Sequence, residues 1–124
     1  MNEPTEEQIK KFWEWCGWKR IPLGKHNFHY ERGEKVMDWL APDSDRSSTR
    51  LPDIDLNNLF KYAVPKVLAT GHWLGMITTQ LSSGTQYTFV IYVEKYRDKA
   101  EHEASDRDPA LALFWAIYKV MEEK

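Results

Sequence analysis

Apolar side chains recur at helical spacing in three stretches of the chain, and in a fourth they line both sides of a strand pair. In the first stretch Ile9, Phe12, Trp13 and Cys16 share one stripe, which predicts a helix over Thr5 to Cys16. Thr5 with Gln8 three places later forms a capping box, Glu6 and Glu7 suit the positive end of the helix dipole, and Gly17 is a natural stop. Trp15 falls off that stripe. In the second stretch Leu56, Leu59, Phe60, Ala63, Val64, Val67 and Leu68 keep helical phase between Asp55, the expected N-cap, and Gly71, the expected end. Pro65 lies inside and removes one backbone hydrogen bond; the unbroken phase predicts a kink rather than a division. The third stretch starts at Asp108-Pro109 and sets Leu113, Phe114, Ile117 and Met121 on its main stripe, widened by Leu111, Trp115 and Tyr118. So wide an apolar circumference predicts burial on more than one side, against the sheet and a further element or at a subunit interface.

The fourth stretch, Gly71 to Tyr96, reads HWLGMITTQL, SSGT, QYTFVIYVEKY. Two runs rich in β-branched and aromatic residues around a Ser-Ser-Gly-Thr turn predict a hairpin. Phe89, Ile91 and Val93 point one way and Val90 and Tyr92 the other; Trp73 and Ile77 oppose Leu74 and Met76. With both faces apolar, each needs cover, and the three helices are there to supply it. Two further short strands are expected at Phe28–Glu31 and Lys35–Leu40, around Arg32-Gly33-Glu34. Ala41–Arg50 and Arg97–Arg107 are polar or charged without periodicity and read as loops. The expected fold class is α+β: one domain over residues 1–124, with a small antiparallel sheet, its central hairpin at about 72–96, layered between α-helices.

Composition narrows the function classes. The chain has 124 residues, a net charge of −2 and a pI near 6.1, so nothing in its overall charge argues for binding DNA or RNA. A single cysteine excludes an internal disulfide and a multi-cysteine zinc site. The acidic start lacks a signal-peptide layout, and no apolar run approaches a membrane span. A reducing, cytoplasmic setting is therefore expected, with no membrane partner.

Trp39-x-x-Pro42-Asp43, then Leu51-Pro52-Asp53 opening a helix, then a hairpin, then Asp108-Pro109-Ala110 opening an apolar terminal helix, is a succession that resembles small phage and prophage proteins with a phage ABA-sandwich domain. The resemblance spans Trp39 to Met121; Ser44 stands where that group often has glycine. It implies α-β-α layering, a phage or mobile-element origin, a place in the host cytoplasm and an accessory role, such as antagonising host defence by binding a host protein or a small signal. It implies no particular activity.

The residues themselves offer few reactive sets. His26 and His29 form H-x-x-H with His72 elsewhere, a spacing that on a strand sends side chains to opposite faces, so no metal site is expected. Asp43 and Asp45 read as turn chemistry, and Asp53 and Asp55 as helix capping. Cys16 sits at the wrong end of its helix for an activated nucleophile. No cofactor and no catalytic residues are expected, and the chain does not read as an enzyme. The aromatics hold the remaining signal. Phe12, Trp13, Phe60, Phe89, Phe114 and Trp115 belong to periodic faces and read as core, whereas Trp18, Trp39 and Trp73 stand at element edges near polar partners. An edge tryptophan beside an arginine can stack a base and pair a phosphate. The expected ligand contacts are accordingly Trp18, Arg20, Arg32, Trp39, Arg50, His72 and Trp73, around a nucleotide-derived molecule. Enclosing one is hard for a single small chain, which predicts a pocket between subunits of a homo-oligomer. The rival expectation is a protein–protein inhibitor or assembly module acting through an apolar helix or a sheet edge.

Overall fold

A computed structural model of the chain describes residues 3–22, 37–42, 47–48, 50–93 and 100–123. The α+β class holds: among the described residues, helices accompany two three-stranded antiparallel sheets rather than one. The chain forms two compact units, one containing Glu6–Pro52 and the other Asp53–Lys124. No described helix is long and apolar enough to cross a membrane.

The Glu6–Pro52 unit begins with α1, Glu6–Trp15, at the expected place. Phe12 and Trp13 are fully buried and Cys16 nearly so. The helix stops as its glycine predicts. Gly17 takes φ +108, its N–H donates to the Glu14 carbonyl at 3.1 Å, and the Trp18 N–H donates to the Trp13 carbonyl at 3.0 Å. This is a Schellman closure, which favours an apolar contact between the residue after the glycine and the last turn. Trp18 meets Trp13 edge-on at 6.5 Å between ring centroids to make that contact. The chain then enters β1 (Lys19–Pro22), which pairs with β2 (Met37–Leu40), and β2 pairs with β3 (Ser47–Ser48). Part of the expected Lys35–Leu40 strand is thus present. β1 was not expected, and Ser47–Ser48 is a strand where Ala41–Arg50 reads as loop: the backbone of a polar segment can pair without any side-chain signal. The expected Phe28–Glu31 strand, the Arg32-Gly33-Glu34 turn, His26, His29, Asp43, Asp45 and Arg46 lie outside the described residues.

In the other unit, Asp55 caps the second helical stretch as expected, accepting the Asn58 N–H at 2.8 Å. The stretch runs as α2 (Leu56–Asn58), a π-helical turn (Leu59–Ala63) and α3 (Val64–Ala69). Pro65 is accommodated by that wide turn, in which the Val64 N–H reaches back to the Leu59 carbonyl. A π turn takes up about one extra residue and so rotates the stripe by about 100°. Leu59, Ala63, Val64 and Val67 stay buried, whereas Phe60 and Leu68, expected on the core stripe, are 49% and 52% exposed.

The hairpin is β4 (His72–Leu81) and β5 (Gly84–Val93), turning through Ser82–Ser83. A third strand, β6 (Ala100–Asp106), adds to β5 and corrects the reading of Arg97–Arg107 as a solvated loop. Ala104 is buried and pairs with Phe89, and the exposed Glu101 and Glu103 hold the sheet edge in water, a pattern suited to an edge strand. α4 (Pro109–Glu122) is capped by Asp108, whose Oδ1 accepts the Ala110 N–H at 2.9 Å. α4 packs on the sheet face that carries Phe89, Ile91 and Ala104, and touches the α2–α3 stretch as well. Leu113, Phe114 and Ile117 are fully buried there. The wide apolar helix is therefore core, covered by sheet and helices together, and Phe114, Trp115 and Tyr118 form a ring cluster with centroids 5.0 to 5.6 Å apart. Cover on the opposite sheet face is incomplete along β4, where Trp73 is 44% and Ile77 53% exposed.

Candidate functional site

The end of α3 sets up a place where several chemistry-bearing side chains meet among the described residues. Gly71 takes φ +84 and lets the chain leave the helix directly into β4. The preceding Thr70 hydroxyl donates to the Val67 carbonyl at 2.7 Å and also lies 2.8 Å from His72 Nδ1. A hydroxyl has one proton, and a carbonyl can only accept. The second contact must then run from His72 Nδ1–H to the threonine oxygen. This fixes the orientation of the ring and leaves Nε2 as its outward nitrogen.

His72 Nε2 points to the far strand of the sheet, where Glu101 Oε2 stands 3.7 Å away. Glu101 owes its aim to an irregularity in the ladder. Ile91 pairs with His102 and Tyr92 with Ala100, so Glu101 is the extra residue of a β-bulge, a device that redirects a side chain. His102 lies on the face covered by α4, and its Nε2, sealed from solvent, is 2.8 Å from Glu123 Oε1 without hydrogen-bond alignment. Glu123 is the C-cap of α4. Strand start, bulge and helix end thus converge. One ligand atom each from His72, Glu101 and Glu123 falls within a mutual 4.8 Å. The two histidine side chains are nearly buried and the two carboxylates partly exposed. The negative end of the α4 dipole adds to the two carboxylates, which makes this the natural seat for a cation.

Beside it, a shallow pocket of about 290 Å³ is lined by Leu68, Gly71, His72 and Trp73. At the far end of β4, a second concavity of about 400 Å³ is lined by Leu81, Gln86, Ser105, Asp106 and Arg107.

The seven ligand contacts expected from the sequence separate. His72 and Trp73 share the pocket just described. Arg20 and Trp39 are cross-strand partners, with the guanidinium 5.9 Å from the ring centroid. That stacking covers part of the indole face and ties β1 to β2, a structural use of both side chains. Trp18 is a correction: it is 7% exposed, placed by the helix closure against Trp13, and has little surface to offer a ligand. Arg50 is exposed ahead of Leu51-Pro52, and Arg32 lies outside the described residues. Cys16 is buried, as a core residue should be.

Sequence reasoning missed Thr70, Glu101, His102 and Glu123. The signal for the middle pair was faint but present: Arg97–Arg107 contains neither Gly nor Pro, and small or neutral residues recur at Ala100, His102 and Ala104. Comparison with protein-family models, with curated proteins and with solved structures gives no match.

Proposed function

We propose that the protein is a non-enzymatic binding module that works as a homodimer joined along β4 and holds a nucleotide-derived ligand where the two copies meet. The observation that carries this reading is a symmetric apolar stripe. Trp73, Ile77 and Leu81 are 44%, 53% and 44% exposed, and at every fourth position of one strand they share a face. β4 pairs only with β5 among the described residues, and its ten residues include no Asp, Glu, Lys, Arg or Pro, the residues that normally guard an edge. Ile77 is equidistant from Trp73 and Leu81. Two copies running antiparallel, with Ile77 against the partner's Ile77, would seat Trp73 against the partner's Leu81.

That pairing would also bring the Trp73 pocket of one copy to the Leu81 end of the other, where Arg107 lines the second concavity. A pocket of about 290 Å³ is at the lower limit for a small-molecule site. The second copy supplies walls, an indole face supplies stacking, and an arginine supplies phosphate pairing. Sequestration of a host-defence signal by a phage protein in the host cytoplasm is the form suggested by the resemblance to phage ABA-sandwich proteins.

Native mass spectrometry, alone and after exposure to cyclic and ADP-ribose-type nucleotides, tests this. The expected spectrum is a dimer carrying a nucleotide-sized adduct. Ile77→Lys should give a folded monomer without adduct, and Trp73→Ala a dimer without adduct. A wild-type monomer free of adduct overturns the reading. The rival, a protein inhibitor or assembly module, is favoured by the same uncharged edge, which can accept a strand from another protein. It predicts a monomer whose host partner is recovered by pull-down and lost on Ile77→Lys.

A further inference from the structure

We infer that His72, Glu101 and Glu123 bind one divalent cation of the zinc class, with Thr70 as a positioning residue. The argument starts at His72. Its Nδ1–H is committed to the Thr70 hydroxyl, whose own proton goes to the Val67 carbonyl. Its other ring nitrogen, Nε2, stands 3.7 Å from the Glu101 carboxylate, beyond hydrogen-bond distance. A metal ion between the two atoms would be held by both, and Glu123 lies within reach of the same point. A histidine that ligates a metal through one nitrogen and donates the other N–H to an oxygen is the ordinary arrangement of such sites.

The donor set and spacing agree. One imidazole nitrogen with carboxylate oxygens suits zinc-like ions better than calcium or magnesium, which prefer oxygen alone. With metal–ligand bonds of about 2.0–2.2 Å, donors on one ion stand roughly 3–3.5 Å apart. The His72–Glu101 separation of 3.7 Å is close to that, and the Glu123 carboxylate, exposed on a helix cap, can swing inward from within the 4.8 Å group. Two carboxylates and a helix C-terminus are balanced by a dication, and three protein ligands leave a position for water or a ligand atom. The isolated residues at 72, 101 and 123 give no sequence motif, because a strand start, a bulge and a helix end bring them together.

The inference stands apart from the nucleotide reading and is tested without nucleotide. Metal-free full-length protein is titrated with Zn²⁺ by calorimetry and with Co²⁺ by visible absorption. One site per chain is expected, with a micromolar or tighter dissociation constant and a Co²⁺ ligand-field band. Glu101→Gln and Glu123→Gln, at partly exposed positions, should each weaken binding at least tenfold while circular dichroism stays unchanged. Thr70→Val should weaken it about 10–100-fold. His26→Ala/His29→Ala should leave it unaltered. Absence of stoichiometric binding overturns the inference. So does binding that survives both glutamate variants or disappears with the His26/His29 pair.

Discussion

At the scale of single residues, tryptophan shows how one side chain can carry two readings that only its surroundings separate. Trp18 and Trp73 both follow a helix end marked by glycine. Trp18 closes the Schellman turn onto Trp13 and is buried. Trp73 comes two residues after Gly71 and stands half exposed on β4. Trp18→Ala should therefore cost about 3 kcal/mol in urea unfolding, within the range for emptying a buried aromatic site, and leave ligand retention by the surviving folded protein intact. Trp73→Ala should do the reverse. The two glycines can be ranked in the same experiment. Both have positive φ, but a methyl group at Gly17 would lie 3.0 Å from Pro42 Cβ, whereas at Gly71 it meets nothing within 4 Å. Gly71→Ala should cost about 1 kcal/mol from backbone strain alone, and Gly17→Ala distinctly more.

At the scale of elements, β6 is the clearest case of a strand without an apolar run. It exists because β5 offers a hydrogen-bonding edge, because Ala104 is small enough to lie under α4, and because Lys119 on α4 donates to the Glu103 carbonyl at 2.6 Å. Ala104→Glu should accordingly destabilise the protein by about 3 kcal/mol through a buried charge. Glu103→Ala, at an exposed position whose backbone carbonyl takes the Lys119 bond, should change the denaturation midpoint little. The second helical stretch makes the complementary point. Its N-cap at Asp55 and its stop at Gly71 were readable from residue types, but the π turn before Pro65 was not, and Phe60 within that turn stands half exposed.

At the scale of the whole molecule, the proposed pairing of two copies along β4 would make stability depend on protein concentration. The melting temperature of the wild type should rise as concentration is raised, and that of Ile77→Lys should stay constant; a flat wild-type curve would speak against the dimer. The sequence by itself determined the elements whose cause is local: three helical stretches with their caps, a long hairpin, and a terminal helix too apolar to face water. Periodicity and capping are properties of neighbours along the chain, so they survive without tertiary information. Only the tertiary structure decided which apolar positions of β4 remain outside, that a charged run pairs as a strand, and that His72 meets Glu101 and Glu123. Those outcomes depend on ladder register, a one-residue bulge and the length of a helix, and no residue carries a signal of its distant partner.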